Sequence, residues 1–182
     1  ATVALTSDVL IETLSSNGAV DLSGASVTGP HSVTISSGSG DIELGSFTGI
    51  TALSVTSDGD TTLHDSYIKT TSQAGIALSG AGQVYLNGDV EMNTADNTGP
   101  IDLATAVDGS GGLTVNAGTG GVVFATLGQS VPLAYLRIAS GGPVSFGGDV
   151  STDGEISLLS ATKGQLTGNA IFESANGNID LL

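Results

Sequence analysis

The sequence predicts an all-β fold, a β-solenoid of stacked parallel strands with about eight or nine coils of 20–23 residues, in one domain over residues 1–182. Three observations carry this. Good helix formers are scarce, and Gly, Ser, Thr or Val interrupts every window longer than about eight residues. Apolar and polar residues alternate with period two in runs closed by Gly, Asn, Asp or Ser, as in Val20-Asp21-Leu22, Val33-Thr34-Ile35, Ile42-Glu43-Leu44 and Leu53-Ser54-Val55. The runs also recur at a longer period, which belongs to solenoids. A hairpin sandwich would space its strands at about 8–12 residues with no longer register.

In chain order, the first unit is IETLSSNGAVDLSGASV from Ile11. It is followed by VTISSGSGDIELGSF from Val33, LSVTSDGDTTLHDSY from Leu53 and IALSGAGQVYLNGDV from Ile76. LTVNAGTGGVVFATL from Leu113 and LRIASGGPVSFGGDV from Leu136 come next, with a further start at Ile156 and a last unit, IFESANGNIDLL, from Ile171. Each reads apolar-x-apolar, a Gly-containing turn, apolar-x-apolar, a second turn and a third apolar position, held by Val27, Phe47, Ile68, Val90, Leu127 and Val150. From Ile11 to Ile156 the starts are 22, 20, 23, 37, 23 and 20 residues apart. The long interval contains Val90-Glu91-Met92 and Ile101-Asp102-Leu103, so it is expected to hold two uneven coils.

No single coil buries enough apolar surface to stand alone, so stacking must build one continuous interior. This register predicts one interior row of Val20, Ile42, Val84, Val122, Val144 and Ile179. Beside it runs a second row of Leu22, Leu44, Leu86, Phe124, Phe146 and Leu181. Gly18, Gly40, Gly82, Gly121 and Gly177 precede the second strand, where a corner needs positive φ or close packing. Pro100, Pro132 and Pro143 fall in expected turns.

Composition excludes several functions. Acids outnumber bases 18 to 3, net −15, so Lys69, Arg137 and Lys163 cannot form the basic patch a nucleic-acid binder needs. The absence of Cys removes disulfide and thiolate-metal chemistry. Apolar runs such as Val122–Ala125 are far too short to span a membrane as a helix, so no membrane insertion is expected. A hydrophobic content of 39% argues against a disordered chain. The acidity, with 23 Ser and 21 Thr, suits a secreted or cell-surface protein.

The repeats, above all GPIDLATAVDGSGGLTVNAGTGGVVFATLG at 99–128, LRIASGGPVSFGGDVSTDGEISL at 136–158 and ANGNIDLL at 175–182, resemble the rod regions of filamentous-haemagglutinin-like and other large bacterial β-strand-repeat surface proteins. The resemblance covers most of the chain, with 60–75 the poorest match. It implies a right-handed parallel β-helix, export, and a role as an adhesin segment or surface fibre. No Asn-Pro motif of the secretion head occurs, and the pattern breaks off at both ends. An internal rod segment of a longer repeat protein, or a filament subunit, is therefore expected. It would associate end to end or against neighbouring repeats of its own chain, and a host or environmental surface or glycan is a further partner class. A polysaccharide-active β-helix enzyme is the alternative, and a cation- or glycan-binding module a third.

The residues offer few sites. The outward position of the second strand reads Asp21, Glu43, His64, Tyr85, Asp102, Val123, Ser145 and Asp180, with a one-residue shift for His64. Asp21 and Glu43 fall on consecutive coils, and Asp58 and Asp60 flank Gly59 ahead of His64 and Asp65. These four acids are the cation candidates, with calcium the ion they would suit. The G-G-x-G-x-D calcium code itself is absent. Tyr85 and Tyr135 are the glycan-contact candidates. His31 reads as a surface residue after Pro30. No G-x-S-x-G, phosphate-binding Gly loop or single-position Thr ladder occurs, so neither catalysis nor a cofactor is expected.

Overall fold

The computed structural model describes residues 1–96, 98–159 and 163–181. Among them there is no α-helix, only β-strands of two to nine residues. Every strand pairing is parallel. The chain winds as a β-solenoid with three faces per coil. Alternate residues of each strand point inward, which is why the apolar-x-apolar triplets form its walls.

Face 1 is an eight-stranded sheet whose strands lie in sequence order. Its inward row runs Val9, Val33, Leu53, Ile76, Ile101, Val122, Val144 and Gly164. Face 2 stacks Val20, Ile42, Thr61, Val84, Val107, Leu127, Val150 and Phe172. Face 3 stacks Val3, Val27, Phe47, Ile68, Met92, Val115, Ile138, Leu158 and Leu181. Eight coils result, about 34 Å from first to last at ~4.8 Å per coil. The interior is a continuous column of buried Val, Ile, Leu and Phe. Near its C-terminal end Phe124 stacks on Phe146 at 5.4 Å, and Phe146 meets Phe172 edge-on at 5.1 Å.

The period is as expected but the phase is not. Val122 and Val144 lie on face 1 with Val33 and Leu53, while Val20, Ile42 and Val84 lie on face 2 and Ile179 on face 3. The second expected row divides in the same way: Leu22, Leu44 and Leu86 on face 2, Phe124 and Phe146 on face 1, Leu181 on face 3. Leu113 and Leu136 belong to face 3 and do not continue Val33, Leu53 and Ile76. The interval from Ile76 to Leu113 is one full coil, ending at Ile101, plus part of the next. The cause is physical. All three faces present the same inward triplet, so a motif cannot report which face it occupies once coil length varies between 20 residues (Val33 to Leu53) and 25 (Ile76 to Ile101).

The corners rely on small residues. A Cβ on Gly40 or Gly82 would run into the backbone carbonyl of Gly18 or Gly59 in the coil below, and one on Gly177 would strike the Gly154–Glu155 backbone. Close packing, not positive φ, is therefore the reason for glycine at these three corners; Gly121 has room for a side chain. Inward hydroxyls complete them: Ser37 Oγ donates to the Gly40 carbonyl at 2.6 Å, Thr94 Oγ1 to that of Gly99 at 2.6 Å and Ser140 Oγ to that of Gly120 at 3.0 Å. Pro143 opens a face 1 strand rather than sitting in a turn. As a first residue its missing N–H costs the ladder little.

At both ends the interior opens. The inward Val3 is 44% exposed at one end, and the inward Leu166 and Leu181 are 54% and 49% exposed at the other. An apolar recess of about 110 Å³ lies between Val3, Val9, Ile11, Leu22 and Phe47 of the first coils.

Candidate functional site

The outward row of face 2 is Asp21, Glu43, Thr62, Tyr85 and Asp108. It differs from the expected row because Thr61 is buried at an inward position, where no apolar residue marks it. Asp102, Val123 and Ser145 project from face 1 and Asp180 from face 3. His64 sits two residues beyond Thr62, opposite Asn87.

Asp21 and Glu43 are lateral neighbours, as expected. Asp21 Oδ1 accepts from the Ser23 hydroxyl at 2.7 Å and the Ser23 N–H at 3.0 Å. Those two donors, the hydroxyl foremost, hold its carboxyl below the usual aspartate value. Glu43 turns away to His64, whose Nε2 meets Glu43 Oε2. On the other side of the ring, Asn87 Nδ2 lies 3.1 Å from His64 Nδ1. The result is a polar strap across three coils.

Asp58 and Asp60 flank Gly59 at the corner between the strands Leu53–Ser57 and Thr61–His64. Asp60 Oδ1 accepts the Gln83 N–H one coil up at 3.1 Å, and the Asp60 N–H donates to Asp41 Oδ1 at 3.0 Å. Among the described residues no group of three or more His, Asp or Glu side chains converges to hold a metal ion.

The fate of Asp60 exposes a device the sequence reading missed. Asp8, Asp41, Asp60, Asp65, Asp89 and Asp149 each accept a backbone N–H from the coil above, at 2.8–3.2 Å. Asn17 does the same for Ser39 at 3.1 Å. Much of the acidity is thus structural: carboxylates close the corner donors that sheet ladders leave open. A signal was present, since Asp stands immediately before the first strand residue at Val9, Ile42, Thr61, Val90 and Val150.

Tyr85 is half-buried, and its hydroxyl donates to Gln83 Oε1 at 2.7 Å. Tyr135 is also half-buried. It lies over Gly112, with the Arg137 guanidinium 4.5 Å from its ring centroid. Arg137 Nε donates to Glu155, which raises the guanidinium's already high value. Lys69 pairs with Asp96 at 2.6 Å, which likewise holds its ammonium above the ordinary value. His31 lies 3.7 Å from Asp8. The Lys163 side chain lies outside the described residues.

One segment breaks the regularity. Between Leu127 and Leu133 the chain takes six steps where the facing stretch of the next coil, Val150 to Thr152, takes two. Residues 128–132 therefore protrude as a loop. Beneath it Asp108, 1% exposed, accepts the Ser130 and Val131 N–H groups at 2.8 and 3.2 Å.

Among the described residues no helix is long and apolar enough to cross a membrane. No protein-family model, curated protein or solved structure matches the chain.

Proposed function

We propose that the chain is a structural and interaction protein: a segment of an exported bacterial surface rod, serving as an adhesin segment or a fibre-forming element. The observation that supports this best is the unbroken eight-strand ladder of face 1, flanked by ends where apolar side chains stay open. Such an end accepts another coil of the same kind, from further repeats of the chain or from a second copy. Parallel strands give the two ends the same sense, so the contact is head to tail and propagates without closing. A rod of this kind works mechanically. Its corner carboxylates and outward Ser and Thr keep it hydrated while the interior column keeps it stiff.

Negative-stain electron microscopy and light scattering of the purified protein across salt concentrations test this. A net charge of −15 opposes contact between copies, so association should strengthen as salt or divalent cations screen it. A strict monomer at every salt concentration, with an intact β-sheet signal, would count against the fibre-forming form. The rival reading, a polysaccharide-active β-helix, requires carboxylates converging in one groove. Turnover of a polysaccharide that is lost on changing Asp58 or Asp60 would favour it.

A further inference from the structure

The protruding loop 128–132 forms one wall of a surface trough on the last coils. Three adjoining hollows make up the trough. The first, about 290 Å³, lies between Ser130 on the loop and Asp149, Ser151 and Glu173 on the coils that follow. The second, about 460 Å³, shares Pro132, Ser151 and Glu173 with it and continues to Asp153 and Ser174. The third, about 400 Å³, is bounded by Tyr135, Arg137, Glu155, Asn176 and Asn178. In repeat folds an insertion in one coil commonly carries the binding face.

This loop is held in place. Asp108 takes two of its N–H groups from below, the Gly109 N–H donates to the Val131 carbonyl at 3.2 Å, and the Gly128 N–H donates to that of Val107 at 2.7 Å. A wall fixed at both its base and its crest suits recognition, because little ordering cost remains for binding.

The chemistry of the trough narrows the ligand. Carboxylates, hydroxyls and side-chain amides share the lining with Pro132, Phe172 and Ile179, and the one cation, Arg137, is already paired with Glu155. An anionic ligand would meet Asp149, Asp153, Glu155 and Glu173 and be repelled. An apolar one would leave those groups desolvated and unpaired. A neutral polyol satisfies them, because carboxylates and amide oxygens accept from hydroxyls while amide N–H groups donate back. The first two hollows share a wall at Pro132, Ser151 and Glu173, and the lining of the third follows theirs along the chain from Asp153 to Gly154 and from Ala175 to Asn176, an outline that suits a short chain of such units. We infer that the trough under residues 128–135 is a binding site for a neutral oligosaccharide. The site uses the coil stack only as a scaffold, and it does not depend on the chain forming a fibre.

The test is a ¹⁵N NMR titration of the whole chain with cellotriose, maltotriose and mannotriose, and with trigalacturonate as the acidic control. At least one neutral trisaccharide should move amide signals of residues 128–136, 149–155 and 173–178, with trigalacturonate inert. Glu173→Ala, an exposed position, should weaken that binding about tenfold or more, as loss of hydrogen bonds to a charged acceptor does. Ser151→Trp should abolish it by filling the first hollow, and an unchanged amide spectrum elsewhere would show that the coil stack is intact. No shift with any of the three neutral sugars at ten times about 1 mM would overturn the inference. So would shifts confined to other residues, or equal binding of the acidic sugar. Rod association measured by light scattering is read separately, so either reading can fail without the other.

Discussion

Replacing Phe124 by Ala probes both the core and its phase. Phe124 is 1% exposed and stacks on Phe146, its face 1 neighbour in the next coil. Truncation of a fully buried phenylalanine costs about 3–5 kcal/mol, from lost transfer energy and the cavity left behind. The Phe124–Phe146 pair should add a coupling of about 0.5–1.5 kcal/mol in a double-mutant cycle with Phe146→Leu. Leu86 supplies the control. A motif alignment would place it in the same row as Phe124, whereas here it lies on face 2, two coils away along the axis, about 10 Å at ~4.8 Å per coil. Phe124→Ala and Leu86→Ala should therefore add within about 0.3–0.5 kcal/mol. Urea unfolding followed by far-ultraviolet circular dichroism measures all of these. A cost below about 1 kcal/mol for Phe124→Ala, or coupling to Leu86 larger than to Phe146, would refute the stacking described.

Asp60→Ala, which deprives the Gln83 N–H of its acceptor, should destabilise by about 1–3 kcal/mol, and Asp60→Asn, which keeps an oxygen there, by clearly less; equal costs in urea titrations would show that the inter-coil bond is idle. Gly82→Ala should be severely destabilising because its Cβ meets the Gly59 carbonyl, whereas Gly24→Ala, with nothing within 4 Å, should be neutral or stabilise by about 0.4–1 kcal/mol; thermal melts of the two variants compare them directly. The carboxyl of Asp21 is depressed in the folded state, so its contribution to stability is present above the unfolded-state value of 3.8 and fades as pH falls through the lower folded value; Ser23→Ala should move the Asp21 titration, followed by carboxyl NMR, back up toward 3.8.

Period and face are legible to different degrees in a sequence of this kind. The twenty-odd-residue repeat shows because Val33, Leu53 and Ile76 begin face 1 strands with few departures between them. Face identity is hidden because Val122-Val123-Phe124 on face 1 and Val20-Asp21-Leu22 on face 2 are equivalent as inward triplets. Thr61 shows a second limit: a buried threonine can fill an apolar position, and its polarity then hides the strand and displaces the reading of His64. The adjacency of Asp21 and Glu43 was readable because both sit between two aliphatic residues. The strap through His64 and Asn87 was not, since it depends on side chains reaching across coils at an offset of two residues. The loop at 128–132 was equally hidden, because nothing in Gly128-Gln129-Ser130-Val131-Pro132 says that its neighbours in the next coil number far fewer.

Cysteine cross-linking tests the three-faced coil stack most directly, because the chain has no cysteine of its own. Ser54 and Ala77 are outward lateral partners on face 1, and parallel neighbours stand about 4.8 Å apart, within the span a disulfide bridges. Tyr85 and Asp102 would be lateral partners under a simple motif alignment but occupy different faces here. Mild oxidation should therefore close a disulfide in the Ser54→Cys/Ala77→Cys variant and leave the Tyr85→Cys/Asp102→Cys variant as free thiols. The opposite pattern, read by thiol titration and mass spectrometry, would contradict the arrangement of coils described above.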